Sequence, residues 1–121
     1  MHIIGLKSEV ALNHIWNSFV EMTSNPWLCF LNNDVCIPDN FISDNVKVIN
    51  LEKNVGIINH ASNNPKYKTS SKLDYKIYDK SSSKFMHRQG WDFTISRSTY
   101  VKIPEEFTTF VGDSMQFNNA Y

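Results

Sequence analysis

Asn32, Asn33 and Asp34 follow directly on five apolar residues, Trp27-Leu28-Cys29-Phe30-Leu31. A short apolar run bounded by Pro26 on one side and Asn on the other reads as a strand buried on both faces, as in a parallel sheet. Ligands of open α/β sheets bind just beyond the carboxyl ends of such strands. A carboxylate preceded by two amides at that place is an oxygen-rich donor set, suited to a hard cation such as Mg²⁺ or Mn²⁺. The same three residues are also good turn formers, so a turn that merely ends the strand is the competing reading. A second carboxylate, Asp113, stands where Phe110-Val111-Gly112 gives way to Ser114-Met115-Gln116-Phe117 and reads as the cap of a helix.

The elements that must hold these groups are legible in outline. Met1–Leu6 is a short apolar strand candidate, and Ser8 with Glu9 can start a helix. Leu12, Ile15, Trp16, Phe19 and Val20 recur at helical spacing and predict one apolar face through about Met22. Ser24-Asn25-Pro26 stops that helix, so the opening reads strand–helix–strand, the unit that builds a parallel sheet. Pro38-Asp39-Asn40 opens a brief helical or looped segment with Phe41 and Ile42. Val46–Leu51 and Val55–Asn59 are further apolar runs, the second a buried strand. Residues 61–90 are rich in Asn, Ser, Lys and Tyr and read as a polar insertion, with Leu73–Tyr78 alternating like an edge strand. Trp91, Phe93 and Ile95 alternate, so one face of a strand there is expected to pack.

The 121 residues make one domain with a modest core. Apolar residues are 41% and charged residues 20%, a globular balance. Lys+Arg and Asp+Glu number 12 each, so neither nucleic acid nor an anionic membrane is indicated as the main partner. No apolar run has the length of a membrane span and no signal pattern opens the chain, which predicts a cytoplasmic protein. Cys29 and Cys36 have no matching His spacing for zinc, and Cys29 is expected to pack as a small apolar residue. None of the four histidines is expected to bind a metal; His60 reads as the end of a strand.

Three stretches, taken in order, resemble the family-two glycosyltransferases, which have a nucleotide-sugar-binding GT-A fold. Asn13 lies in the helix before the strand, similar to the family's "a-x-N-x-g" helix. Phe30-Leu31-Asn32-Asn33-Asp34-Val35 resembles the "LLN-x-D-v" form of its Asp-x-Asp metal motif. Phe93-Thr94-Ile95-Ser96-Arg97, then Phe107 and Val111-Gly112-Asp113, is similar to "f-l-i-r-R … F … G-(E/D)-D". The match covers nearly the whole chain.

That resemblance implies a partial GT-A-like, Rossmann-like mixed α/β sheet flanked by helices, with Trp27–Leu31 central. It implies inverting transfer of a sugar from a nucleotide-sugar donor to a glycan or other hydroxyl acceptor. Asp34 and Asn32 would hold the divalent cation, Mn²⁺ or Mg²⁺, that bridges the donor diphosphate. Asp113 would be the general base, across one cleft from Asp34. Arg97, Trp91 and Asn13 would contact substrate. Four departures accompany the match. The family's N-terminal nucleoside-binding segment and its C-terminal helices are missing, Asn32 stands where an acid is usual, and Gly112 precedes Asp113 in place of an acid. A fragment of this kind leaves an open sheet edge that invites pairing with a second copy. Two other readings compete with it. One is a non-catalytic sugar-nucleotide or glycan-binding remnant; the other is a metal-dependent nucleotidyltransferase, for which Gly5-Leu6-Lys7 is too little of a phosphate loop.

Overall fold

The computed structural model describes residues 11–60, 75, 77, 92–108 and 112–120. The expected strand Met1–Leu6, the Ser8 cap, Trp91, His87 and most of the polar insertion lie outside the described residues. Within them the order is α1 (Leu12–Met22), β1 (Trp27–Leu31), α2 (Phe41–Leu51), β2 (Ile57–Ile58), β3 (Asp92–Ser96) and α3 (Gly112–Asn119).

The mixed α/β class is as expected, but the described strands pair antiparallel, not parallel. Their order is β1-β3-β2, with Leu28 opposite Ile95, Phe30 opposite Phe93 and Ile58 opposite Thr94. Among them β3, rather than β1, holds the centre. An apolar run reports burial on both faces but carries no information about the direction of its neighbour, which is why the parallel reading fails here. Since β1 and β2 both run against β3, their carboxyl ends lie at one edge of the sheet, together with the first residue of β3.

Side chains of paired strands alternate between two faces. On one face Leu28, Phe30, Phe93 and Ile95 form the core with Phe117 of α3, and Trp16, Val20, Ile57 and Tyr100 pack around them. Phe30 is the hub of this cluster. Its ring stacks on Phe93 at 4.8 Å and meets Trp16 at 5.2 Å and Phe19 at 5.9 Å. Helix α2 covers the other face through Phe41, Asn45 and Val48, all buried and spaced one and two turns apart. That face is polar: Asn45 Nδ2 donates to Thr94 Oγ1 at 3.0 Å, and Asp92 and Thr94 are as buried as their apolar neighbours. The alternation in the sequence predicted one packed face of β3, whereas both are packed. The brief segment at Phe41 and Ile42 and the run Val46–Leu51 are one helix, α2, a continuity hidden in the sequence because the central residue of its buried stripe is Asn45.

From residue 100 to 108 the backbone is irregular, and side-chain amides satisfy part of it. Asn17 serves both peptide groups of Ile103, with Nδ2 donating to its carbonyl at 2.8 Å and Oδ1 accepting from its N–H at 3.0 Å. Gln116 does the same for Val101, at 2.7 and 2.9 Å. Asn13 Nδ2 donates to the Phe107 carbonyl at 2.9 Å. This segment is thereby clamped between α1 and α3.

Candidate functional site

Asn32 to Val35 form a turn at the carboxyl end of β1, with the Val35 N–H reaching the Asn32 carbonyl at 3.5 Å. Asn32, Asn33 and Asp34 are all exposed. They form one side of an open cavity of about 430 Å³, completed by Leu12 and Trp16 of α1 and by Phe30 and Leu31 of β1. The walls combine an indole, a phenyl ring and aliphatic groups with two amides and a carboxylate. Such a lining suits a ligand with one apolar face and a hydroxylated or cationic end. After the short Thr23–Pro26 connection β1 runs back along α1, which brings its carboxyl end to the first turn of that helix.

Asn13 is fully buried one residue further on, and its side chain lies against Gly112: a Cβ added to Gly112 would come within 2.3 Å of Asn13 Oδ1 and 2.9 Å of Ile103 Cδ1. The start of α3 therefore sits beside the start of α1, at the same end of the molecule as Asp34. Asp113 occupies the first turn of α3, half-buried, and its Oδ1 accepts the Ser114 N–H at 2.8 Å. It is not among the residues lining the cavity. Helix α3 begins two residues earlier than expected, so Asp113 is a first-turn residue rather than the cap.

Arg97 is placed elsewhere. It follows β3, at the opposite edge from Asp34, about 17 Å away along a five-residue strand. Its guanidinium donates to the Val20 carbonyl at 2.7 Å, Thr23 Oγ1 at 2.8 Å and the Asn25 carbonyl at 2.9 Å. These bonds close the C-terminal end of α1, where carbonyls lack helical partners. Trp91 falls outside the described residues, and the indole that lines the cavity belongs to Trp16. The helical periodicity had placed Trp16 in the apolar stripe, and nothing in its spacing marks it as lying at the rim.

Among the described residues no group of three or more His, Cys, Asp or Glu side chains is placed to share a metal ion. One carboxylate with an adjacent amide fits a cation of the Mg²⁺ type, which keeps several waters and completes its shell on substrate phosphates. No helix of the described residues is long and apolar enough to cross a membrane. Cys29, half-buried beside Thr94, has its thiol pushed upward chiefly by burial, which makes it an inert packing residue.

Sequence reasoning missed one further constellation at this edge. His60 follows β2, and its Nδ1 is hydrogen-bonded to Oδ2 of Asp92, the first residue of β3. Asn59 Nδ2 donates to the Asp92 carbonyl, and the His60 ring leans on Phe41 with centroids 4.5 Å apart. The two partners are 32 residues apart in sequence, so no local pattern joins them. Compared with protein-family models, with curated proteins and with solved structures, the chain finds no match.

Proposed function

We propose that the cavity at the carboxyl end of β1 is the donor site of a glycosyltransferase-like domain, taking a nucleotide-sugar and passing its sugar to an acceptor hydroxyl. The observation that carries this reading is the cavity itself. It sets Asn32 and Asp34, the residues that resemble the family's metal motif, opposite the apolar surface of Leu12, Trp16 and Phe30. Asp34 and Asn32 would hold a divalent cation, which when bound neutralises charge developing on the leaving diphosphate. Asn33 offers an amide to sugar or phosphate oxygens, and Trp16 offers an apolar surface to a sugar ring or base. Asn13 contributes from beneath, by fixing Phe107 and the first turn of α3. The family resemblance assigns proton acceptance to Asp113, which lies at this end of the molecule.

A second reading has a specific observation in its favour. Asp113 does not line the cavity, as a module that binds a sugar nucleotide without transferring its sugar would also show. Calorimetric titration with UDP and with GDP, with and without Mn²⁺, tests the donor site on the wild type and on Asp34→Ala. Metal-dependent binding that the substitution abolishes is the expected result. Binding that Asp34→Ala leaves intact, or no binding by the wild type, refutes the reading.

A further inference from the structure

The cavity at the carboxyl end of β1 has an uneven lining. Leu12 and Leu31 are 39% and 42% exposed there, and Leu12 lies one turn before Trp16 on α1, so those two side chains share a face. Exposed apolar groups gathered at one hollow mark a binding surface. Trp16 itself is half-buried and held from behind, its ring meeting buried Phe30 at 5.2 Å and buried Phe93 at 5.4 Å. It is therefore a fixed platform, which loses little freedom when a ligand stacks on it. The polar side chains of the lining all come from one turn, Asn32–Asp34, and among the described residues Asp34 is its single charge.

A pyranose matches this division. Its ring presents a face of C–H groups to an indole and a rim of hydroxyls to amides. A nucleobase also has an apolar face, but a ribose separates it from the diphosphate. The cavity of about 430 Å³ is near the lower end of ligand pockets, which span roughly 300–1,000 Å³. With the diphosphate held through a cation at Asp34, the ring that reaches Trp16 in that space is one bonded directly to the diphosphate. Of the two such rings, the ribose is puckered and carries the base, whereas a pyranose offers a broad C–H face.

We propose that Trp16 is a specificity-determining residue that stacks on the transferred sugar, and that this sugar is a pyranose. This rests on the donor-site reading above. Asn33 meets the hydroxyl rim, and the selectivity of the site lies in the sugar increment, the gain in affinity of a sugar nucleotide over its parent nucleotide.

Two measurements on the full chain test this. The first follows the Trp16 indole N–H by ¹H–¹⁵N correlation NMR with Mg²⁺, assigned through Trp16→Phe. UDP-glucose, UDP-galactose and GDP-mannose are compared with UDP and GDP. The resonance is expected to move with at least one sugar nucleotide and to stay in place with UDP and GDP. An equal shift with the bare nucleotides puts base or ribose against the indole and overturns the proposal. The second is affinity by calorimetry. At least one of the three is expected to bind about fivefold or more tighter than its parent nucleotide, an increment that falls below about twofold in Trp16→Ala and is partly kept in Trp16→Phe. UDP and GDP affinities are expected to be unchanged in both variants, which also reports that they fold; if Trp16→Ala does not fold, the wild-type spectrum decides. A sugar increment that survives Trp16→Ala, or is absent from the wild type, overturns the sugar platform while metal-dependent UDP or GDP binding leaves the donor site standing. No nucleotide binding by the wild type removes the donor site, and the platform with it.

Discussion

Gly112 is a point of close approach between the two helices that frame the site, and replacing it with alanine tests how that end of the molecule is assembled. The added methyl would lie 2.3 Å from Asn13 Oδ1, 2.9 Å from Ile103 Cδ1 and 3.0 Å from Asn13 Cγ. Favourable contacts of this kind lie near ~3.5 Å, so something must move by about an ångström. Neither neighbour is free to do so. Asn13 is fully buried and tied to the Phe107 carbonyl, and Ile103 is fully buried and held through both peptide groups by Asn17. Overpacking of this sort costs about 1–3 kcal/mol. The gain of roughly 0.5–1 kcal/mol that alanine brings to a helix interior is largely missing at the first residue of α3, leaving a net loss of about 1–2 kcal/mol. For a domain of this length that is a fall in Tm of roughly 4–10 °C, read by thermal unfolding. Gly56→Ala is the internal comparison. Its methyl would meet Thr99 Oγ1 at 3.0 Å and Cγ2 at 3.2 Å, atoms of one side chain, and a Tm change within about 3 °C is expected. Asn13→Ala removes the nearest obstacle, so the double substitution Asn13→Ala with Gly112→Ala is expected to be less destabilised than the sum of the singles. A Tm for Gly112→Ala at or above wild type, or strict additivity in that cycle, refutes the close approach of α1 and α3.

Arg97→Ala removes three hydrogen bonds from the end of α1 and is expected to destabilise by about 1–3 kcal/mol in urea titration, with nucleotide binding unchanged. Lysine at that position recovers less than half of the loss, because it lacks the planar fork that reaches three acceptors; weakened nucleotide binding in either variant contradicts the placement of Arg97 at the far edge. Burial, with the nearby Glu21 charge, pushes the Tyr100 hydroxyl up to about 12. The folded state therefore holds this proton more tightly than the unfolded chain, whose tyrosine titrates near ~10. That contribution to stability is fully present below ~10 and is lost as pH rises toward 12. Urea midpoints between pH 9 and 11.5 are expected to fall less steeply for Tyr100→Phe than for wild type, and equal slopes count against it.

Local order in the sequence determined a good deal of this protein. The apolar stripe from Leu12 to Val20 specified α1 as far as Met22, and Trp27–Leu31 specified β1 residue for residue. Both follow from short-range rules, helical periodicity in one case and an apolar run between breakers in the other. The position of Asn32–Asp34 at a strand's carboxyl end was legible for the same reason. The glycine before Asp113 was legible only as a departure from an acidic pattern. Its cause is tertiary, since the space a side chain would need is filled by Asn13 from a helix 99 residues away.

What tertiary structure alone decided is the pairing of groups remote in sequence. Antiparallel pairing put β3 between β1 and β2, which sent Arg97 to the far edge to cap α1 and brought His60 and Asp92 to the near one. It also made Asp92, Thr94 and Asn45 interior residues, although their types mark an exposed face. Periodicity reports which residues share a face of one element. It cannot report which element will cover that face, nor in which direction the neighbouring strand will run, because those depend on contacts between segments that the local pattern does not contain.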